Sequence, residues 1–496
     1  MHSPPTPRNA ELEIQKNALV ARLHLMATIE NDSRTRDFYT TALGANRAIR
    51  RHNGKIGPRT LTQSPHRQSS ALQKEIVRGR SSRGPTLCAP QTWPGSAGLR
   101  KQRGVVRSLR PALTLATVLV FSPCLARSQQ SDALEPPRPS LDKIQLVDDH
   151  YEAPTRSGIA ELTLRHDLQA LSGRLLARAR PVRGAAIMVD TRSGKVLVFD
   201  RYVRHGTAPL SLLTQASAPA ASLFKLVTTA ALLAKTPVSP STRVCTRGGE
   251  AGIGRRHLQP PPRELAEQLC APFWQALGHS RNAVYAQLST QHLLRGDLLQ
   301  MAQAIGFDSE LAFDVPAQVG HVELPYNDLE FARASAGFVG STLSPLGVAH
   351  LTLAIARGGK AARMTLIDRQ GDYRAPARAE ELGTLMRTYV AHQLRRMMEV
   401  TVHSGTSLDA FTSHAGVSYL GQIRVAGKTG TLQPSPNVPT TSWFTGFAPS
   451  RNPHVVVTVL LQNSSVWRRK ANEVARDLLR AYFIQSPGVT HPEQEE

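Results

Sequence analysis

Apolar positions fall into blocks with distinct periods along this chain. The segment GAAIMVDTRSGKVLVFD reads as two strands, Ala185–Asp190 and Lys195–Phe199, joined by a turn at Arg192-Ser193-Gly194. Two strands joined so closely predict a hairpin, hence an antiparallel sheet. Leu162 to Arg180 carries helical spacing. In SLFKLVTTAALLAK, Ser222–Lys235, the residues Leu223, Phe224, Leu226, Val227, Ala230 and Leu233 surround a helix on nearly all sides. A helix apolar all round belongs in a protein centre. Residues 236–415 break at Pro and Gly into mainly helical pieces, such as Pro345–Ala356, stopped by Gly358-Gly359. Strand-like runs then return at Gln422–Lys428, Ser442–Phe447 and Val455–Leu461. An amphipathic helix, Val466–Ile484, closes the pattern with Val474, Leu478 and Tyr482 on one face. This order predicts an α+β fold, in which distant parts of the chain complete one antiparallel sheet and helices cover it.

The first quarter follows another pattern. Of the net charge of +23 over 496 residues, residues 1–128 carry +15. The basic balance therefore says little about the partners of the rest. Residues 51–110 hold thirteen Lys/Arg and one acid, Glu75, with no periodicity, and read as disordered. Aromatics for base stacking are not interleaved with these cations, which argues against a nucleic-acid partner. A basic run, Arg103–Arg110, precedes the apolar Pro111–Ala126 and the polar RSQQSD. That is the pattern of a secretory signal, cleaved after Ala126 or Ser128; an uncleaved membrane anchor is the alternative reading. The apolar run is short of the ~20 residues that a membrane span needs, and it contains Pro123. The expected layout is an extension over 1–104 that is not translated, a signal or anchor over 105–128, a Pro-rich linker over 129–156, one domain over 157–485 and a polar tail over 486–496. Beyond the signal, only Cys245 and Cys270 remain. In an oxidising compartment they predict one disulfide worth ~3 kcal/mol, against the alternative of two buried thiols.

Three short motifs carry candidate chemistry. Ser222-Leu223-Phe224-Lys225 is S-x-x-K, Ser280-Arg281-Asn282 is S-x-N, and Lys428-Thr429-Gly430 is K-T-G. None is specific alone. Ser140-Leu141-Asp142-Lys143 repeats the first, and Ser435-Pro436-Asn437 and Ser450-Arg451-Asn452 repeat the second. A lone S-x-x-K is usually a helix cap with a surface lysine. Here the lysine falls inside an apolar helix, where an unpaired charge is costly. Spacing i, i+3 puts Ser222 and Lys225 on one helix face. A serine hydroxyl needs a base, and a lysine serves as one only if desolvation or a second cation lowers its pKa. Lys428, expected at a strand end, could supply that cation. Ser280 could relay a proton to a leaving group, and Asn282 could both donate to and accept from an amide. The strand before Lys428 reads as a docking edge for an extended peptide. Lys428 and the hydroxyls of Thr429 and Thr431 could hold a carboxylate there.

With these motifs, TLRHDLQ at 163–169, TLSPLGVAHLTLAIARGGK at 342–360, HSGTS at 403–407 and VAGKTGT followed by SWFTGFAP resemble the penicillin-binding protein transpeptidase domain, of the superfamily shared with serine β-lactamases. The resemblance covers about residues 160–485. It implies a five-stranded antiparallel sheet flanked by helices, with an all-helical subdomain. It implies that Ser222 attacks the penultimate D-alanyl carbonyl of a peptidoglycan stem peptide, with Lys225 as base and Ser280 and Asn282 in the second motif. Lys428, Thr429, Gly430 and Thr431 would bind the substrate. The backbone N–H groups of Ser222 and Thr431 would form an oxyanion hole. β-Lactam antibiotics would acylate Ser222, no cofactor or metal is required, and the site of action is the periplasm or outer face of the inner membrane. No E-D-x-x-F motif indicates a glycosyltransferase, and the short segment before the first helix leaves no full pedestal domain. The lack of an E-x-x-L-N segment argues against a class A β-lactamase, and Asn282 argues against class D. The alternatives on the same chemistry are a D,D-carboxypeptidase or a serine β-lactamase. The non-enzymatic ones are a β-lactam sensor or a cell-wall scaffold.

Overall fold

The computed structural model describes residues 138–250, 252–262 and 269–484. The expected extension, signal or anchor and polar tail lie outside these residues. Among the described residues, no helix is long and apolar enough to cross a membrane.

The central sheet has five antiparallel strands: β1 (Arg183–Asp190), β2 (Val196–Val203), β3 (Ala426–Leu432), β4 (Thr440–Ala448) and β5 (Val455–Asn463), in the order β3-β4-β5-β1-β2. The sheet is thus closed between the two ends of the domain, where β5 pairs with β1 through Val457↔Met188 and Val459↔Ala186. Both faces are covered. Ile187, Val189, Val456 and Leu460 join one core cluster, while Ala186, Met188, Val457 and Val459 join the other. Successive side chains of a strand point to opposite faces. That explains why β1 and β5 are continuously apolar instead of alternating with polar residues.

Helices position the rest. Those used below are α1 (His166–Ala179), α2 (Phe224–Lys235), α3 (Asn282–His292), α4 (Pro345–Ala356), α5 (Thr388–His403) and α6 (Ala471–Ile484). Helices α1 and α6 pack on the second face with Leu168, Leu176, Val474 and Leu478. Helices α2 and α4 fill the first: every residue from Phe224 to Leu233 and from Pro345 to Ile355 is buried. Helix α4 starts cleanly, with the Ser344 hydroxyl accepting from Gly347 N at 2.8 Å and Pro345 in its first turn.

Several boundaries differ from the reading of the sequence. The segment expected as a linker to residue 156 holds strands Gln145–Val147 and His150–Thr155. The first pairs with the second, the second with Gly158–Leu162, and through it they join Ile367–Gln370 and Tyr373–Arg374 in a second five-stranded sheet. Its first two strands bury almost nothing but Ala153, so hydrophobic periodicity could not reveal them. Helix α1 accordingly starts at His166, not Leu162. Strand β3 runs to Leu432 instead of ending at Lys428. Its two glycines weaken the strand signal, and register with β4 from Ala426↔Phe447 to Leu432↔Thr441 holds it. Helix α6 begins at Ala471, not Val466, because the Glu473 carboxylate accepts from Lys470 N at 2.7 Å and sets its start. The expected all-helical insert is mainly helical, but it carries short paired strands, including Arg243–Cys245 with Cys270–Pro272.

Candidate active site

Ser222 lies in a single 3₁₀ turn, Ala221–Leu223, and α2 begins after it at Phe224. The serine does not cap the helix, contrary to the expectation that it opens it. Ala221 has φ +49°, a left-handed conformation costing on the order of 1–3 kcal/mol for a non-glycine residue. The turn turns the hydroxyl toward Lys225, whose Nζ lies 2.6 Å from Ser222 Oγ. Lys225 Nζ also donates to Asn282 Oδ1 at 2.6 Å and to Ser280 Oγ at 3.3 Å. The Tyr285 ring, one turn along α3, lies 5.6 Å from the same nitrogen.

Ser280 occupies the turn before α3, with φ +53°. Its hydroxyl accepts from Lys428 Nζ at 3.1 Å as well, so it stands between the two lysines. Lys428 also donates to the Thr429 carbonyl at 2.6 Å. Asn282 is the first residue of α3, and its Nδ2 donates to the Gly249 and Glu250 carbonyls, both at 3.0 Å. Thr429 Oγ1 meets Thr406 Oγ1, from the HSGTS segment, at 2.6 Å. The K-T-G glycine has a steric reason: a Cβ on Gly430 would meet Ala221 Cβ and Trp443 Cβ at 3.3 Å each. A side chain there would need its neighbours to give by a few tenths of an ångström, so glycine suits the close approach of β3 to the serine turn.

Lys225 and Lys428 are both fully buried, and neither has an ion-pair partner among the described residues. Burial lowers the Lys225 ammonium well below the ordinary lysine value, and the nearby Lys428 charge lowers it further. Burial alone pushes Lys428 down to about 7. A cleft of about 1510 Å³ opens above them, with Ser222, Ser280, Asn282, Thr406, Thr429 and Thr431 on its walls. The arrangement supplies a hydroxyl nucleophile, an amine able to stay neutral, a second amine that can be charged, and a bridging hydroxyl. Strand β3 is the edge of its sheet, so one side of its backbone has no strand partner.

The sequence-selected residues thus converge from three elements, and their duplicates do not. Ser140–Lys143 lies at the second sheet, where Asp142 pairs with Arg201. Ser435-Pro436-Asn437 sits in the β3–β4 connection, and Ser450-Arg451-Asn452 follows β4. Neither of these two triplets lines the cleft. Cys245 and Cys270 are joined by a disulfide at the end of the two-stranded sheet beside the cleft. Sequence reasoning passed over Tyr285, Thr406, and the Gly249 and Glu250 carbonyls. Thr406 had a signal in the HSGTS segment. The carbonyls had none beyond the Gly248-Gly249 pair.

A family model described as "Penicillin binding protein transpeptidase domain" matches residues 184–481. Among curated proteins, the chain is 27% identical over 331 residues to "Peptidoglycan D,D-transpeptidase PbpA" of Mycobacterium tuberculosis (strain CDC 1551 / Oshkosh). The alignment covers 58% of this chain and 63% of that relative, so the chain spans less than two thirds of the relative's length. Two solved structures share the fold. One is the D,D-transpeptidase domain of a peptidoglycan glycosyltransferase from Eggerthella lenta, with TM-score 0.53, 23% identity, and 66% of this chain and 83% of that one covered. The other is penicillin-binding protein A from M. tuberculosis as its penicillin G acyl-enzyme complex, with TM-score 0.51, 21% identity, and 65% and 79% covered.

Proposed function

The chain belongs to the penicillin-binding protein transpeptidase domain family, and from that premise we propose that it is a serine D,D-transpeptidase that cross-links peptidoglycan stem peptides outside the cytoplasm. The observation that carries this reading is the 2.6 Å approach of the buried Lys225 Nζ to Ser222 Oγ, with Ser280 bridging to Lys428.

A neutral Lys225 takes the Ser222 proton as the hydroxyl attacks the D-alanyl carbonyl. The tetrahedral oxyanion is held by the backbone N–H groups of Ser222 and Thr431. When the C–N bond breaks, the proton passes from Lys225 through Ser280 to the leaving D-alanine amine, and an ester remains on Ser222. An amine of a second stem peptide then attacks the ester, giving its proton back along the same route, and Ser222 is restored. Lys428, Thr429 and Thr431 hold the terminal carboxylate of the donor, which lies along β3 as an added strand. A β-lactam carries an equivalent carboxylate and an acylable carbonyl, so it acylates Ser222 and stays. Pro111–Ala126 serves export, as signal or anchor.

Intact-mass spectrometry of the full chain incubated with benzylpenicillin, beside Ser222→Ala, tests this. A persistent one-to-one adduct is expected in the parent and none in the variant. Steady drug hydrolysis through a short-lived adduct would point to a β-lactamase, and no adduct from folded protein would overturn the assignment of the nucleophile. Donor and acceptor stem peptides supplied together should yield a cross-linked dimer. Release of D-alanine without dimer would indicate a carboxypeptidase.

A further inference from the structure

We infer that the disulfide-tethered loop Cys245–Glu250, locked to α3 by Gln287, is a positioning device that sets the amide orientation of Asn282 and thereby aims the Lys225 lone pair at Ser222. The inference rests on the acylation chemistry proposed above.

A neutral amine has two N–H donors and one lone pair. Three groups surround Lys225 Nζ: Asn282 Oδ1 at 2.6 Å, Ser280 Oγ at 3.3 Å and Ser222 Oγ at 2.6 Å. If the first two accept the two N–H groups, the lone pair is left for the Ser222 proton. This holds only while Asn282 presents its oxygen. Turned over, its NH₂ would donate to the lone pair and compete with Ser222. An amide side chain has no intrinsic preference between these orientations, so its other neighbours decide. Here they are two carbonyls, Gly249 O and Glu250 O, both 3.0 Å from Nδ2. Two acceptors side by side tolerate only the NH₂ group, and they fix the oxygen toward Lys225.

The loop that supplies these carbonyls is held from both sides. Cys245 pairs in antiparallel register with Cys270 and is bonded to it. The buried Gln287 of α3 donates from Nε2 to Cys245 O and to Gln259 O, both at 3.0 Å. Asn282 and Gln287 therefore anchor the same loop from one helix. Gly249 lies against the start of that helix with φ +95°, and a Cβ there would meet Ala283 Cβ at 2.9 Å. No side chain fits between the loop and α3.

The test measures the second-order rate constant and the burst stoichiometry of acylation of the full chain by a chromogenic β-lactam, from pH 5 to 10. The samples are the oxidised chain, the chain treated with reductant, Cys245→Ser/Cys270→Ser, and Gly249→Ala. In the last three the rate constant should fall at least tenfold, toward the ~100-fold that misplacing a reacting group by ~1 Å costs. The stoichiometry should stay at one per chain, and the acid limb of the profile should move. The Cys245→Ser/Cys270→Ser variant should be indifferent to reductant. Loss of stoichiometry at an unchanged rate constant would mean that the bridge only keeps the domain folded, and it would overturn the inference. So would a rate constant and profile unchanged by reductant. No acylation of the oxidised chain would refute the proposed function instead.

Discussion

Both walls of the cleft bring a fully buried lysine to the Ser280 hydroxyl, yet the lysines are set in different surroundings. On the helical wall, Lys225 is the second residue of an apolar helix, faces a second cation and touches two further polar side chains. On the strand wall, Lys428 belongs to a sheet edge and is depressed by burial alone, to about 7. Desolvation is common to both. The like charge weighs on Lys225 as well, lowering it beyond what burial does. On the proposed mechanism, one burial cost supplies both a base and, beside it, a cation for the substrate carboxylate.

The largest effect should come from the helical wall. Lys225→Met should fold and lose roughly 10²- to 10⁴-fold in acylation rate constant, the usual contribution of a general base. Lys225→Arg should not rescue it, because a guanidinium does not deprotonate. Stopped-flow acylation with a chromogenic β-lactam reads both. Equal losses in Lys225→Met and Lys428→Met, on the same kinetic parameter, would erase the distinction between the walls.

Lys428→Met should act mainly on affinity. Losing a charge-assisted hydrogen bond worth ~1.5–3 kcal/mol weakens carboxylate binding roughly 10- to 100-fold. The saturating rate should fall less. With the like charge removed, the Lys225 ammonium becomes easier to keep, so the acid limb of the acylation profile should shift to higher pH.

pH should sharpen the comparison in the parent chain. Acylation should rise with pH as Lys225 deprotonates, then decline above about 7 as unliganded Lys428 loses its charge, the two limbs belonging to the coupled pair. Stability follows the other sign of the same shift. In the unfolded chain a lysine keeps its proton to ~10.4, and in the folded chain Lys428 releases it near 7. Between those values the unfolded state binds more protons, so stability rises with pH. The thermal midpoint should climb from pH 7 to pH 10, and the climb should be shallower in Lys428→Met.

The smallest effect is expected at the mouth. Thr429→Val removes the 2.6 Å contact with Thr406 and one hydroxyl from the carboxylate site. A neutral hydrogen bond is worth ~0.5–1.5 kcal/mol, so the loss in apparent affinity should be about fivefold, with the rate constant at saturation unchanged. A larger loss would assign Thr429 a part in the chemical step.

Legibility followed burial. The β1–β2 hairpin, α2, α4, β4 and β5 were readable because they are dense apolar runs whose lengths and bounding turn residues separate strand from helix. Strand β3 and the strands at 145–155 were misplaced because the first carries two glycines and the others bury almost no apolar residue. Pairing with a neighbour is what makes them strands. Residues of the site were legible to the extent that a motif names a side chain. The carbonyls of Gly249 and Glu250 belong to the backbone, which every residue possesses, so no residue type marks them.

Sequence alone determined the stock of groups: a serine and lysine three residues apart at the start of an apolar run, a Ser-x-Asn turn and a Lys-Thr-Gly strand. It also determined which elements bury themselves, since periodicity is a local property. Only the tertiary structure chose among duplicate motifs, brought Lys225 and Lys428 to one hydroxyl and turned the Asn282 amide. Those outcomes depend on distances between residues far apart in the chain, and on desolvation by neighbours that no single segment contains.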